Sequence, residues 1–296
     1  DACAGPGAEQ RSRKGDHREP EHFRRNETRS RLQHQRGREH GEIEQLEDAA
    51  PLMLVPASDV RPQDRQRTRQ AGQPAQDAAG KTLYVANEND NTVTVIDLEK
   101  RARLGDIQVG VEPEGMTISP DGKTLINTSE TTNMAHFIDT STRQIVANVL
   151  VDSRPRFAQF KHDGSELWVS SEIGGTVSII DPVKRVVTGK VTFEIPGLRS
   201  EAIQPVGIGM TKDDKTAFVA LGPANRVAIV DAAAHKVIKY LLVGQRVWHM
   251  DFTPDEKYLL VTNGVSNDVS VIDVAAQKVI KTIQVGELPW GIAIAP

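Results

Sequence analysis

An apolar pair closed by aspartate recurs along this chain, as Val-Ile-Asp97, Phe-Ile-Asp139, Ile-Ile-Asp181, Ile-Val-Asp231 and Val-Ile-Asp273, at intervals of 42, 42, 50 and 42 residues. Between the marks each interval holds the same sequence of parts. A short apolar strand runs into a turn such as Pro120-Asp121-Gly122-Lys123, and a second strand, a polar turn, a third strand ending in the aspartate and a fourth strand follow. Self-similarity at about 40–45 residues with four strands per unit is the pattern of a β-propeller blade of the WD40-like kind. The fold class expected is therefore all-β, a β-propeller of four-stranded blades with about five blades recognisable.

The strands follow this ruler. First strands read Gly115–Ile118, Phe157–Phe160, Gly207–Met210, His249–Phe252 and Gly291–Ile294. The first four run into Asp121-Gly122, Asp163-Gly164, Asp213-Asp214 and Asp255-Glu256, tight hairpin turns in which Gly and Asp tolerate positive φ. Second strands start at Leu83, Leu125, Leu167, Ala217 and Leu259, and the aspartate closing each third strand is expected to hold a local turn. Trp168 falls in a column with Tyr84, Ile126, Phe218 and Leu260, which places it in the core. The last strand, Gly291–Ala295, is expected either to lack partners or to pair with Leu83–Val85 and close a five-blade ring.

Residues 1–80 are different material from residues 81–296. The first stretch carries thirteen Arg against one Lys, nine Gln, four His and a single aromatic, Phe23, without strand or helix periodicity. It is expected to lie outside the fold, as a natural disordered extension or as an out-of-frame translation of two blades. Two lost units and five marked ones would make seven, a common propeller number. Charge and cysteine bound the rest. A formal net charge of −4 gives no reason to expect nucleic acid as a partner, and no apolar run is long enough to span a membrane. The single cysteine, Cys3, excludes an intramolecular disulfide and a cysteine-built metal site.

In a repeat array the positions held in every unit build the scaffold, and positions that depart in one unit are candidates for function. The fourth-to-first and second-to-third strand loops share one face of a propeller. One loop column reads Glu112, Arg154, Gln204, Arg246, Leu288, a second Glu114, Arg156, Val206, Trp248, Trp290, and a third Glu88, Glu130, Glu172, Gly222, Gly264. Glu88, Glu130, Glu172, Arg154, Arg156, Arg246, Trp248 and Trp290 are thus expected to gather at the channel mouth as a ligand- or partner-binding face. The 50-residue interval adds its eight extra residues to the same face, within Glu194–Gln204. The competing reading is a set of solvated charges pairing across blades, each worth about 0–1 kcal/mol. On the binding reading, changing Arg154 and Arg246 leaves stability nearly untouched. His136 departs from a column of Thr94, Ser178, Ala228 and Ser270 and joins the candidate set. Its neighbour Met134 brings haem or copper to mind, but there is no C-x-x-C-H site and no second His in register, so no metal and no cofactor are expected. No G-x-S-x-G elbow, P-loop or G-x-G-x-x-G follows a strand, and no catalytic residues are assigned.

The stretch Tyr84-Val85-Ala86-Asn87 with Asn91-Thr92-Val93 and the Pro-Asp-Gly-Lys turn resembles YVTN-type β-propeller repeats. Longer stretches, among them Asn127–His136, Val151–Arg156, Trp168–Gly175, Leu221–Arg226, Val243–Trp248 and Thr262–Asp268, resemble the PQQ-dependent catabolism-associated β-propeller proteins of bacteria. That resemblance covers about 81–296. It implies a seven-bladed, exported, periplasmic protein working near quinoprotein alcohol dehydrogenases, and it brings no catalytic residues. The expected function is a non-enzymatic periplasmic binding or scaffold protein, whose partner is a quinoprotein dehydrogenase or a small ligand. The alternatives are a cofactor-binding enzyme or electron carrier using the same channel mouth, and a cell-surface adhesion propeller.

Overall fold

In a computed structural model of the chain, which describes residues 71–294, twenty strands form five four-stranded antiparallel sheets. The first holds β1 (Ala71–Gln76), β2 (Thr82–Asn87), β3 (Thr92–Asp97) and β4 (Ala102–Gln108). The second holds β5 (Pro113–Ile118), β6 (Thr124–Ser129), β7 (Met134–Asp139) and β8 (Gln144–Leu150). The third holds β9 (Pro155–Phe160), β10 (Leu167–Ser171), β11 (Thr176–Asp181) and β12 (Val186–Thr192). The fourth holds β13 (Pro205–Met210), β14 (Thr216–Leu221), β15 (Arg226–Asp231) and β16 (Lys236–Leu242). The fifth holds β17 (Val247–Phe252), β18 (Tyr258–Asn263), β19 (Asp268–Asp273) and β20 (Lys278–Gln284). Each sheet is a plain up-and-down meander, and the sheets pack in chain order with their first strands side by side.

The physical reason for this stacking lies in the strand patterns. Strands two and three of the middle sheets are buried on both faces, so each sheet needs an apolar neighbour on either side. Four apolar clusters fill the four interfaces. Tyr84, Val95 and Met116 join the first sheet to the second, and Phe137, Phe160 and Val169 the second to the third. Trp168, Ile179 and Val219 join the third to the fourth, and Phe218, Ile229 and Val261 the fourth to the fifth. Trp168 is fully buried, as its column implied.

Local chemistry repeats with the sheets. Asp97, Asp139, Asp181, Asp231 and Asp273 each accept backbone N–H groups two or three residues on, which fixes the turn into the fourth strand. Gly122 and Gly164 take the left-handed position of the first hairpin with φ of 72° and 74°. In the next two sheets Asp214 and Glu256 occupy that strained position with φ of 55° and 54°. Their carboxylates reach back to the preceding blade, where Asp214 accepts from the backbone N–H groups of His162 and Asp163 and Glu256 from that of Lys212. The interblade bonds offset the backbone cost. A β-bulge recurs where each fourth strand leaves the third, leaving Leu104, Val146, Thr188, Ile238 and Ile280 as the extra residues. Arg143 and Arg185 donate to the bulge carbonyls of Leu104 and Val146 on the preceding sheet.

Two expectations need correction. The boundary placed between residues 80 and 81 falls inside the first sheet, because Ala71–Gln76 supplies its first strand and pairs with β2. Pro74 and the two glutamines of that segment hid it, since it carries no apolar alternation. The remainder of the anomalous stretch, residues 1–70 with Cys3 and Phe23, lies outside the described residues. Nor does the last segment pair with Leu83–Val85: β2 has β1 on one edge and β3 on the other. Gly291–Ile294 forms no strand and lies instead on the fifth sheet. The Ile294 N–H donates to Asp251 Oδ2 at 2.9 Å, and Thr262 Oγ1 donates to the Trp290 carbonyl at 2.9 Å. Ala295 is outside the described residues.

Candidate functional site

The loops between successive sheets are built on one device. Asn91, Asn133, Asn225 and Asn267 stand at the start of four third strands in left-handed backbone, with φ between 55° and 59°. Their side-chain oxygens accept the N–H groups of Glu112, Arg154, Arg246 and Leu288 at 2.8 to 3.2 Å. Those four residues are themselves left-handed, with φ of 53° to 59°, so each side chain is thrown onto the same face. The third sheet has Gly175 where the others have asparagine, and its loop is the one carrying the insertion, with a single 3-10 turn at Ser200–Ala202. Without the amide oxygen nothing holds that loop to the short form.

At the centre of the face the charged columns converge into one network. Glu172 is 3% exposed, and its Oε1 accepts from Arg246 Nη2 at 2.8 Å while Oε2 lies 3.2 Å from the Nε atoms of both Arg154 and Arg156. Those two contacts at Oε2 are ion pairs only, because the N–H groups do not point at it. Glu130 is paired with Arg154 at 2.8 Å and with Arg156, and Glu114 lies 3.5 Å from Arg156. Arg246 also donates to Gln204 Oε1 at 3.0 Å and stacks on Trp248 with its guanidinium carbon 4.3 Å from the ring centre. Arg156 sits on the same ring at 5.6 Å. His249 continues the cluster inward, 4.4 Å from Trp290 and 5.4 Å from Phe157 between ring centres.

The third loop column, three glutamates and two glycines, now has a reason. Glu130 receives Arg154 and Arg156, and Glu172 receives Arg246 from further along the chain. Where the residue is glycine it leaves room: a Cβ on Gly222 would meet Arg246 Nη1 at 3.4 Å, and one on Gly264 would meet Trp248 Nε1 at 2.7 Å.

Burial shapes the titration of this network. Glu114, 4% exposed, is pushed up to about 8 by loss of hydration, against the pull of Arg156, with a hydrogen bond to Glu88 and the charges of Glu88 and Glu130 adding to the rise. His249 is pushed down to about 4 by burial and by the Arg156 charge, so it is neutral in the folded protein at neutral pH.

Residues 99–264, more than half of the chain, match the Choice-of-anchor I domain family. This chain belongs to that family. The matched span of the choice-of-anchor I domain runs from the β3–β4 turn to the β18–β19 loop and contains Glu114, Glu130, Arg154, Arg156, Glu172, Arg246 and Trp248, while Glu88 and Trp290 flank it. Membership of a choice-of-anchor family points to an extracellular or cell-surface protein. Hydrazine synthase of Kuenenia stuttgartiensis is similar in structure, with a TM-score of 0.64 and 19% identity over 71% of this chain. The match spans 65% of that protein's chain, less than two thirds, and at this identity the likeness is one of β-propeller-type fold. No curated protein matches the sequence.

Of the expected face, Glu130, Arg154, Arg156, Glu172, Arg246 and Trp248 come together in direct contact, Glu88 joins through Glu114, and Trp290 through His249. His136 does not. Its ring is buried in the second sheet, where Nε2 takes the Gly110 N–H at 3.0 Å and Nδ1 meets Asn148 Oδ1 at 2.6 Å. Burial lowers its pKa, and its hydrogen bonds fill both nitrogens. Glu114 and Gln204, which stand in the same columns, and His249, which stands one position further on at the start of its first strand, are central members outside the expected set. Among the described residues no group of three or more His, Cys, Asp or Glu side chains is placed to hold a metal ion. No described helix is long and apolar enough to cross a membrane.

Proposed function

We propose that this β-propeller is a non-enzymatic binding or scaffold protein that works outside the cytoplasm and docks a partner protein on the Arg/Glu/Trp face. One observation carries the reading. The polar centre is ringed by apolar side chains on the same loops and strand ends: Val111, Leu150, Ile173, Leu242, Val265 and Leu288. Leu150, Leu242 and Leu288 are 65%, 68% and 70% exposed. Exposed apolar side chains gathered on one end of the sheets in this way suit a surface that a partner covers. Trp248 under two guanidinium groups supplies the residue types that dominate interaction energy.

The finer reading, a periplasmic partner of quinoprotein alcohol oxidation, rests on the sequence resemblance and names the molecule to test. Binding to a purified quinoprotein alcohol dehydrogenase is measured by calorimetry for the wild type and for Ile173→Asp/Leu242→Asp. The expected result is a complex weakened at least about tenfold by the double change, a loss of about 1.4 kcal/mol, with unchanged thermal stability. No complex, or one indifferent to the double change, refutes this partner and this face. The family's cell-surface character favours one other reading, an adhesion propeller using the same rim, which binding to surface matrix with equal sensitivity to the double change would establish.

A further inference from the structure

Arg154 stands in the β8–β9 loop in left-handed backbone, with φ of 59°, and both of its backbone groups are tied down. Its N–H donates to Asn133 Oδ1, just before β7 of the second sheet, at 3.0 Å, and its carbonyl accepts the N–H of Glu172 of the third at 2.8 Å. The side chain is anchored as well. Nε lies 2.8 Å from Glu130 Oε2 and 3.2 Å from Glu172 Oε2, and both carboxylates are buried. The terminal nitrogens Nη1 and Nη2 have no partner among the described residues, and the side chain is 47% exposed. The neighbouring charges are already spent. Arg246 gives Nη1 to Gln204 and Nη2 to Glu172 and lies on Trp248, and Arg156 is shielded among Glu114, Glu130 and Glu172. Glu112, which holds the equivalent loop position one sheet earlier, is bonded to Thr131. Beside the Arg154 fork stands the exposed Ile173, whose chain neighbours Glu172 and Gly174 donate their N–H groups to the carbonyls of Arg154 and Ser153.

We propose that Arg154 is the recognition residue of this face, and that it takes the carboxylate of an aspartate or glutamate side chain of the partner, set between apolar residues that cover Ile173 and Leu150. This rests on the reading of the face as a docking surface and supplies the partner's chemistry. A guanidinium is planar, keeps its charge, and offers N–H groups that match the two oxygens of a carboxylate. Here the Nε end and the backbone are already fixed, so little side-chain freedom is lost when the fork closes on a carboxylate. The charges around it permit the approach. Arg154, Arg156 and Arg246 face Glu130, Glu172 and the half-buried Glu88, while burial keeps Glu114 mainly uncharged at neutral pH. No excess of negative charge turns an incoming carboxylate away. The exposed Ile173 and Leu150 favour a carboxylate carried on an apolar segment over a bare anion.

The test is an NMR titration of nitrogen-15-labelled protein with the peptide acetyl-Leu-Phe-Asp-Phe-Leu-amide, following the Arg154 Nε–H signal and the Ile173 backbone amide. The same peptide with Asn or Lys at its centre, and inorganic phosphate, serve as comparisons. The Asp peptide is expected to move both signals and to bind at least about tenfold more tightly than the Asn peptide. Arg154→Gln should bring the Asp peptide down to the level of the Asn peptide. Arg154→Lys, which keeps the charge and loses the fork, should restore only part of the difference. Melting temperatures of the variants confirm that they are folded. Equal binding of the Asp and Asn peptides overturns the proposal, as does a preference for the Lys peptide or an Asp preference that survives Arg154→Gln. Phosphate binding as tightly as the Asp peptide overturns it too, since the site would then take a bare anion. So does an Asp peptide that moves neither signal at about 10 mM, beyond the weak end of specific affinity. Peptides that bind alike whatever their central residue leave docking on the face standing and remove Arg154 from it. A dehydrogenase that fails to bind leaves the peptide result standing.

Discussion

Replacing Arg156 by alanine removes the one cation that touches Glu114, Glu130 and Glu172 together. Its side chain is 15% exposed and those of its partners 4–7%, so the pairs are not the water-screened kind that contribute little. Removing one partner of a buried ion pair costs about 3–5 kcal/mol, because it strands the other charge. Here Glu130 keeps Arg154, and Glu172 keeps both Arg154 and Arg246, so the loss belongs at the low end, about 3 kcal/mol. For a domain of this size that lowers the melting temperature by about 6–12 °C. Thermal unfolding followed by circular dichroism measures it. Arg154, whose side chain is 47% exposed, should cost markedly less when changed to alanine, about 1 kcal/mol or below. The sequence-based expectation that Arg154 and Arg246 are both free of structural duty is thereby revised, since Arg246 is bonded to Glu172, Gln204 and Trp248. A melting temperature for Arg156→Ala within 2 °C of wild type would refute the view that the network ties the sheets together.

Gly264→Ala drives a Cβ to within 2.7 Å of Trp248 Nε1, so it should displace the ring, cost about 1–3 kcal/mol and shift tryptophan emission. Trp168→Ala empties the interface between the third and fourth sheets and should cost about 3–5 kcal/mol in denaturant unfolding. Asn225→Ala should lose about 1–2 kcal/mol, because the Arg246 N–H loses its acceptor, and Asn225→Gly should still lose that bond while easing the left-handed backbone. His249, depressed to about 4, contributes stability that is present above the ordinary histidine pKa and lost as pH falls toward 4. Melting temperatures measured from pH 4 to 7 should rise more steeply in wild type than in His249→Phe, and equal slopes would show that His249 is not buried neutral.

The sheets were legible because their determinants are local and repeated. An aspartate that caps its own turn, a hairpin with glycine at the left-handed position and strands dense in Val and Ile are each decided within a few residues, and five copies at a fixed period leave one architecture. The loop columns went further. A repeat ruler converts sequence spacing into position around an axis, so Glu130, Glu172, Arg154, Arg156, Arg246 and Trp248 could be placed on one face before any distance was known. What the ruler could not supply was who pairs with whom. Arg246 reaches back two sheets to Glu172, and Glu114 is left short of a cation only because Arg156 leans toward Glu130 and Glu172. His136 was misplaced for the same reason, since a departure from a column marks a different environment without saying whether it is a site or a filled hole. The first strand, Ala71–Gln76, was invisible because its pairing comes from the β2 edge beside it and not from its own composition. Period and turn chemistry are properties of the chain, whereas burial, charge balance and the direction of a side chain are properties of the packed neighbours, which exist only once the sheets have come together.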